Sequence, residues 1–402
     1  MSETPPRPPR ATAILLGCVA VLMLAPVTMP VPVLRGLVQT RFAVGDLATA
    51  LFMSINMVGA LVMAPLAGAL ADRLGRQKGL IVAALCLDAL CLWALTAPMP
   101  FWLFLGTRFV EGCAHIAALS LLLSLATELA GDGGRARMMG VVGTGITLGV
   151  AIGAPLGGRL GRDDPLAPLV VGALILLGAA ALVALSLRDR PPGPRAGLTR
   201  IFALARRESA LLVPYAFAFV DRFTVGFFTT TFTLYLANVH ELTVAHIGLL
   251  LGLFLLPFAL LSYPCARLSE RTSRTGLVVG GSLAYGLAVT TLGAWSPGFL
   301  PALMLALGVL SAVMFVPSLL MVTDLAPAAI RSTALGGFNA AGSLGFVLGP
   351  LVGGGVSQVV GGATDPHTGY ALAFVVAGLA EIACVVATRS ALRRLRAEGR
   401  TT

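Results

Sequence analysis

The chain has 402 residues, of which 57% are hydrophobic and only 11% are charged, and its mean hydropathy is +0.91. Soluble proteins of this size carry about 25% charged residues, so this composition excludes an ordinary soluble domain. The formal net charge of +10 would suit a nucleic-acid-binding protein. The basic residues, however, are divided among many short segments between apolar runs, which argues against nucleic acid as a partner.

Twelve apolar runs are long enough to cross a hydrocarbon layer of about 30 Å. We number them spans 1 to 12, and they lie near residues 11–34, 45–70, 79–97, 101–126, 138–158, 166–187, 211–236, 245–266, 276–296, 299–323, 333–360 and 370–390. Span 1 is too long for a signal peptide and lacks an A-x-A-like cleavage site, so we expect it to remain as a membrane helix.

The basic residues predict how the chain is oriented. With the N-terminus inside, 22 of the 28 Lys and Arg residues fall in cytoplasmic segments, four fall in outer loops, and Arg108 and Arg222 lie inside spans. This is the positive-inside asymmetry of inner (cytoplasmic) membrane proteins. It predicts a multi-pass protein with both termini in the cytoplasm, whose basic clusters contact the lipid bilayer.

A short charged loop between spans 2 and 3 has the layout G-x-x-x-D-R-x-G-R. Its matched positions are Gly68, Asp72, Arg73, Gly75 and Arg76. The first glycine allows a neighbouring helix to come close, and the second permits a tight reversal. Here the sequence resembles the Major Facilitator Superfamily, whose signature loop between helices 2 and 3 has this pattern. The resemblance implies an all-α integral membrane fold of twelve transmembrane helices in two pseudo-symmetric six-helix halves.

Span 4 carries three polar side chains, Arg108, Glu111 and His115, which fall within about 60° of one another on a helix. Each charge at the bilayer centre costs about 2.5–3.5 kcal/mol, so this face must look onto a cavity or onto partners. Arg108 and Gly112 also resemble the family's helix-4 element R-x-x-Q-G, with Glu111 in the Gln position. Because Glu can titrate, Glu111 is a proton-coupling candidate, and Arg108 and His115 are candidates for the substrate cavity. A purely structural Arg–Glu pair is the alternative.

Glycines recur at intervals of four in span 5 and again in span 11, which allows close helix packing. The positions assigned to packing are Gly149, Gly153, Pro155, Gly345, Gly349 and Pro350. Span 5 resembles the family's helix-5 antiporter element G-x-x-x-G-P-x-x-G-G. Ala154 displaces the proline of this element by one residue. This departure weakens the interpretation that the protein exports its substrate, without removing it.

The second half of the chain repeats the first. We call the charged loop at 68–76 the first gating loop. A shift of about 198 residues places its Asp72-Arg73 pair on Glu270-Arg271, so we assign the latter pair to a second gating loop. A shift of about 196 places the segment 127–130 on 323–326 and aligns the glycines of spans 5 and 11. These offsets indicate an internal duplication, as in transporters built from two parallel halves. The predicted domains are an N-terminal tail (1–10), a first half (11–187), a basic linker (188–209), a second half (210–390) and a basic tail (391–402).

Span 7 brings a second pair of ionisable residues into the membrane, Asp221 and Arg222. Asp221 is the second proton-coupling candidate. Arg222, Tyr215 and Asn339 in span 11 complete the candidates for the substrate cavity. Asp88 and Glu381 are also membrane-embedded, but they rank lower because helices 3 and 12 are peripheral supports in the family that the chain resembles.

Other chemistries lack the residues that they need. The six cysteines and four histidines show no metal-ligand spacing, so we predict no metal or cofactor. The single lysine, Lys78, is followed by Gly79 and not by the Ser or Thr of a phosphate-binding P-loop. The chain is therefore not expected to be an enzyme that hydrolyses ATP by that route.

These observations predict a monomeric secondary transporter that rocks two halves around a midplane site. The expected cargo is a small amphiphilic organic molecule, moved outward in exchange for protons, since apolar helices with several Met and Phe residues suit adaptable binding. The alternatives are a proton symporter importing a sugar or an organic acid, which Arg108 and Arg222 could contact, and a channel or non-transporting receptor. The sequence leaves the substrate open.

We predict that Asp72 caps a helix end and locks the two halves on the cytoplasmic side. Asp72→Asn should insert normally but reduce turnover strongly, because the lost charge removes about 1 kcal/mol or more of conformational bias. Initial rates in proteoliposomes would measure this, with Glu270→Gln as the less sensitive counterpart. Full transport by Asp72→Asn would rule out the gating role.

Overall fold

A computed structural model describes residues 10–74, 77–187, 209–326 and 331–398, with side chains described except at 10, 65, 68–74, 131–137 and 331–333. All regular structure in these ranges is helical. The helices are Arg10–Thr28, Asp46–Leu74, Lys78–Ala94, Phe101–Leu160, Ala167–Ser186, Leu212–Phe227, Thr233–Asn238, Val244–Arg271, Arg274–Thr290, Leu300–Leu325, Arg331–Ala363 and Pro366–Ala397. Short 3₁₀ turns occupy Val31–Val33, Ser209–Leu211 and Leu292–Ala294, and π-helical turns occupy Arg35–Thr40 and Phe228–Phe232.

The prediction of an all-helical, multi-pass membrane protein is confirmed. In the described part of the chain, eleven helical segments are long and apolar enough to cross a membrane. The remaining predicted span, span 3, forms a helix of 17 residues. At 1.5 Å per residue it is about 26 Å long, slightly less than the hydrocarbon layer that it would cross.

Spans 4 and 5 differ from the expected helix–loop–helix, because the backbone stays helical from Phe101 to Leu160. The two apolar segments of this helix are Phe101–Ala130 and Met138–Leu160. The sequence between them contains glycines but no proline. Glycine weakens a helix without removing a hydrogen-bond donor, so nothing in this stretch obliges the helix to stop.

Side chains that accept hydrogen bonds from the first turn define where several spans begin. Thr243 begins span 8, Ser273 begins span 9 and Asp365 begins span 12. These oxygens satisfy amide groups that have no partner within the helix. At Asp365, hydrogen bonds from the hydroxyl and the amide of Thr368 hold the pKa of the carboxyl below its usual value.

The chain divides into two compact units with related internal packing. Of the described residues, 10–33 and 55–187 form the first unit, and 34–54 and 209–398 form the second. In the first unit, span 1 packs on the Phe101–Leu160 helix and on span 6, and span 3 packs on the same two helices. In the second unit, span 7 packs on spans 11 and 12, and span 9 packs on spans 10 and 12. The predicted duplication is therefore visible in the helix contacts of each unit.

The second unit encloses an apolar core to which five spans contribute. Its buried members include Phe217, Val278, Met321, Phe338 and Val385 from spans 7, 9, 10, 11 and 12. Burial of large apolar side chains between helices gives this unit a fixed internal arrangement on which its polar groups can be positioned.

Glycines bring span 5 against span 1 in the first unit. A Cβ atom placed on Gly149 would lie 2.7 Å from the carbonyl oxygen of Val21. A Cβ atom on Gly153 would collide with the carbonyl oxygen of Ala25 and with the hydroxyl of Thr28. The hydroxyl of Thr28 in turn donates to the carbonyl of Val150 at 2.9 Å. Backbone-to-backbone approach of this kind requires positions without side chains.

The same arrangement recurs between spans 11 and 7 in the second unit. A Cβ atom on Gly345 would lie 2.8 Å from the amide nitrogen of Phe223, and one on Gly349 would collide with the Phe223 carbonyl oxygen. Pro350 packs on Gly226, where an added Cβ would lie 2.6 Å from the proline ring. The glycines that repeat in the sequence thus occupy equivalent contacts in the two units.

We predict that Gly153→Ala and Gly349→Ala each destabilise the protein by about 1–3 kcal/mol, because each methyl group would push two backbones apart. Gly140 and Gly336 provide matched controls, since they are related by the same repeat and an added Cβ would meet nothing within 4 Å. Alanine at these positions should be neutral or stabilising by up to about 1 kcal/mol. Thermal unfolding midpoints of the purified variants would measure the difference, and equal midpoints for all four would contradict it.

Candidate functional site

The polar face of span 4 lies inside the first unit. A nitrogen of the Arg108 guanidinium (Nη1) and a carboxylate oxygen of Glu111 (Oε2) lie 2.9 Å apart, one helical turn from each other. Arg108 is 2% exposed and Glu111 is 3% exposed. The two charges therefore neutralise each other away from lipid, as buried ions require.

Asn56 from span 2 reaches the same carboxylate. Its side-chain amide donates to Oε2 of Glu111, so that one oxygen has partners on two helices. The approach depends on glycines, because a Cβ on Gly112 would collide with the backbone of Asn56, and one on Gly59 with the backbone of Phe109. Small residues at this crossing allow side chains on the two helices to meet.

Asp88 from span 3 adds a fourth charged group. Its Oδ2 atom lies 2.9 Å from Nδ1 of His115, whose side chain is 13% exposed. His115 lies one helical turn beyond Glu111 on the same face of span 4, so the two charged pairs are neighbours. We call Asn56, Asp88, Arg108, Glu111 and His115 the N-terminal cluster. Within the described chain, Oδ1 of Asp88 has no hydrogen-bond partner.

The second unit holds another buried group of charges. Asp221 is 3% exposed, and its Oδ2 atom lies 3.7 Å from Nη1 of Arg222, too far for a hydrogen bond. The Arg222 guanidinium lies over the rings of Phe315 and Phe346, at 4.3 and 5.5 Å from their centroids. These distances are typical of cation–π contacts, so the aromatic rings share the arginine with Asp221.

Glu381 of span 12 joins this second group. It is fully buried, and its Oε1 atom accepts a hydrogen bond from the hydroxyl of Thr224 at 3.3 Å. Thr224 lies one turn after Asp221 and also donates to the Asp221 backbone carbonyl at 2.8 Å. We call Asp221, Arg222, Thr224 and Glu381 the C-terminal cluster.

The other candidates for the substrate cavity lie apart from these clusters. Tyr215 is half-buried, and its hydroxyl donates to the carbonyl oxygen of Ala334 at 2.9 Å. Asn339 is exposed on span 11. Their roles in substrate binding stay predictions.

Most of the first gating loop falls outside the described residues. The backbone is helical through Leu74, Gly75 and Arg76 are not described, and no side chain is described at Gly68, Asp72 or Arg73. In the second gating loop, Glu270 and Arg271 are both exposed at the end of span 8.

Polar contacts beside both loops repeat between the units. Gln77, at the start of span 3, donates to Glu128 at the end of span 4 with a distance of 2.6 Å. Arg274, at the start of span 9, forms an ion pair with Asp324 at the end of span 10. Glu128 and Asp324 are the residues that the 196-residue shift aligned, so the duplication extends to the contacts of these carboxylates.

The structure adds three residues to the candidates that the sequence singles out. The sequence analysis ranks Asp88 and Glu381 below Glu111 and Asp221 and gives Asn56 no role, whereas the structure places all three side chains within the two clusters. The stronger signal is the charge itself, since an ionisable residue in an apolar span almost always faces the protein interior.

In the described part of the chain, no group of three or more His, Cys, Asp or Glu residues could hold a metal ion.

Comparison with known proteins identifies the family. The sequence profile of the Major Facilitator Superfamily matches residues 16–219 and again residues 214–401. The chain belongs to the Major Facilitator Superfamily. Its two matches correspond to the two repeats detected in the sequence.

Among curated relatives, the magnetosome protein MamH of Paramagnetospirillum magneticum is 26% identical over 357 residues, which cover 82% of this chain and 81% of MamH. A class G tetracycline resistance protein of Vibrio anguillarum is 32% identical over 160 residues, or 39% of each chain.

Solved structures of superfamily transporters share the fold. A bacterial homologue of the human lysosomal transporter Spinster, in an inward-facing conformation, has a TM-score of 0.76 at 15% identity. The alignment covers 96% of this chain and 95% of that one. The nucleoside transporter NupG has a TM-score of 0.76 at 14% identity, over 93% of this chain and 98% of its own. The superfamily member described here therefore has the transporter fold over almost its whole length.

We predict that the Asp88–His115 pair contributes to stability only as a pair. Asp88→Leu should cost about 3–5 kcal/mol, because it leaves His115 buried without its partner. The double variant Asp88→Leu/His115→Leu should recover most of this loss, since both polar groups are then gone. Chemical unfolding of the single and double variants would give the coupling energy. Additive losses would show that the two side chains act independently.

Proposed function

We propose that this superfamily member is a secondary transporter that moves a small amphiphilic organic molecule out of the cell in exchange for protons. It would reside in the cytoplasmic membrane as a monomer with both termini inside, and its halves (11–187 and 210–390) would alternate access to a midplane site. The first gating loop around Asp72 would hold the cytoplasmic side closed in one of the two states.

The observation that carries this proposal is the environment of Glu111. Its carboxylate is buried in the membrane-spanning part of the first unit and bridges Arg108 on its own helix and Asn56 on span 2. A coupling carboxyl needs partners that change between states. Asn56 and Arg108 lie on different helices. A small shift of span 2 against span 4 would therefore break the contact of Asn56 with Glu111 and leave the carboxylate held by Arg108 alone.

Asp221 is the matching candidate in the second unit. Like Glu111 it is a buried carboxyl next to an arginine, but its contact with Arg222 is longer and is shared with aromatic rings. A carboxylate with a weaker cationic partner is less strongly held in its charged form. Each unit therefore offers one carboxyl whose protonation could follow conformation.

An amphiphilic cargo fits the composition of the spans. Of all residues, 57% are hydrophobic and 11% are charged, and the charges buried within the described spans are largely engaged with one another. Similarity to a tetracycline resistance protein over 160 residues supports outward movement of such a cargo.

Import of an organic acid would require cationic side chains that remain available to the substrate. Arg108 is buried against Glu111, so its charge is already neutralised within the protein. This contact favours a neutral or cationic amphiphile over an anion. A channel or a receptor is disfavoured by the duplicated six-span halves, because a pore does not need two related moving units.

The test is transport in proteoliposomes with an imposed pH gradient. Cationic, neutral and anionic amphiphiles would be screened separately, each with and without the gradient. We expect accumulation of a cationic or neutral compound against its own gradient, driven by protons moving the opposite way. Accumulation that is indifferent to pH across all three classes would reject proton coupling.

We predict that Glu111→Gln separates the movement of substrate from its coupling to protons. If Glu111 carries the proton, the variant should still exchange substrate down its gradient but lose concentrative transport driven by pH. Asp163→Asn, at an exposed carboxyl of an outer loop, serves as the control and should behave like the unmodified protein. Normal pH-driven accumulation by Glu111→Gln would assign Glu111 a structural role and leave Asp221 as the coupling candidate.

A further inference from the structure

Two acidic side chains on different helices meet in the C-terminal cluster. Glu381 on span 12 is bonded through Thr224 to the turn of span 7 that carries Asp221. One hydroxyl thus contacts both the backbone of Asp221 and the side chain of Glu381, which places the two acids on either side of Thr224. Both are at least nine-tenths buried, with 3% exposure for Asp221 and none for Glu381.

Close packing of spans 9 and 12 places Glu381 in this position. A Cβ on Gly378 would collide with the carbonyl oxygen of Gly286, and one on Gly286 would lie 3.0 Å from the Cβ of Glu381. The missing side chains leave room for the glutamate between the helices and close to Tyr285. The site is thus formed by the interior of the second unit and does not depend on a surface.

Several polar atoms in this site are buried without a hydrogen-bond partner in the described structure. They are both carboxyl oxygens of Asp221, Oε2 of Glu381 and the hydroxyl of Tyr285. The Tyr285 side chain is fully buried, and its neighbour in sequence, Gly286, packs against Glu381. Buried polar atoms are rarely left unpaired, so these four atoms call for a further partner such as a proton.

Electrostatics identifies what is bound. Two carboxylates that share a dry site cannot both remain ionised, and such pairs keep one proton between them. The other charged or titratable side chains that interact with the pair are Arg222, Tyr285 and Cys384. Arg222 is the only cation among them, and it is 26% exposed and stacked on Phe315. One partly engaged cation does not balance two negative charges.

We propose that Asp221 and Glu381 form a proton-binding site in which one proton is shared between the two carboxyls, with Thr224 and Tyr285 as hydroxyl partners. The proposal rests on the proton-coupled function above and extends it by adding Glu381, which the sequence analysis ranks below Glu111 and Asp221. A bound proton converts one carboxyl into a donor and thereby satisfies oxygens that otherwise lack partners. A metal cation is the competing occupant. Ca²⁺, for example, takes 6–8 oxygen ligands, which is more than the four oxygens that lack partners here.

The test is infrared difference spectroscopy of the purified full-length protein in lipid, which requires no substrate. At neutral pH the unmodified protein should show the C=O stretch of a buried protonated carboxyl, shifted on exchange into D₂O. Glu381→Gln should lose one such carboxyl per protein, because Asp221 beside Arg222 alone becomes ionised. The double variant Asp221→Asn/Glu381→Gln should lose it as well.

Controls distinguish the pair from other carboxyls. Asp163→Asn, at the exposed carboxyl of an outer loop, should leave the band unchanged, and Glu381→Asp should retain it at a shifted frequency. Thr224→Val should also shift the band, because it removes the hydroxyl that donates to Glu381, and it provides a second measurement if the Gln variant does not fold. An unchanged band in both Thr224→Val and Glu381→Gln would overturn the proposal.

Two further outcomes separate the alternatives. Loss of the band when NaCl replaces choline chloride would assign the site to a metal cation and reject the proton. If the band behaves as expected but no pH-driven transport is found, the proton site stands and the proposed exchange mechanism fails. If transport depends on pH but the protein lacks the band, the proposed exchange mechanism stands and the shared-proton site is rejected.

Discussion

A charge within the hydrocarbon layer costs about 2.5–3.5 kcal/mol on insertion scales, and this cost governs where the ionisable residues of this chain lie. In the first unit Arg108 pairs with Glu111 and Asp88 pairs with His115, and in the second unit Asp221, Arg222 and Glu381 lie near Thr224. The two clusters offset the free-energy cost of burying charge in different ways. The first cluster pairs acids with bases, whereas the second contains two acids and one partly exposed arginine, which is the basis of the shared proton proposed there.

Close helix packing makes these clusters possible. In each unit a first helix lies directly against the backbone of a glycine-rich helix, through Gly149 and Gly153 in one and Gly345 and Gly349 in the other. The same principle places Asn56 within reach of Glu111 and leaves space for Glu381 beside Gly286. Where side chains are absent, helices come near enough for polar groups on different spans to satisfy one another.

The fold could be predicted from the sequence because its signals are local and repeated: long apolar runs, a charged loop at fixed spacing, and glycines related by a constant shift. The boundary between spans 4 and 5 was harder, since a loop was expected where the backbone remains helical. The partners within the site could not be predicted. Contacts such as Asp88 with His115 depend on how helices rotate against one another, which no periodicity in one chain records.

The segment 34–54 packs within the second unit although both flanking helical stretches belong to the first. Ser54 donates to the carbonyl of Val347 at 2.7 Å, and the amide of Leu47 donates to Gln358 at 3.0 Å. The linker at 188–209 is therefore not the only covalent connection between the units. The backbone leaves α-helical geometry where this segment begins, with a 3₁₀ turn at Val31–Val33 just before it and a π-helical turn at Arg35–Thr40 within it. Because the chain enters the second unit at residue 34 as well as after the linker, it cannot be cut at the linker into two self-sufficient proteins. The C-terminal piece would lack a segment that its own helices bind.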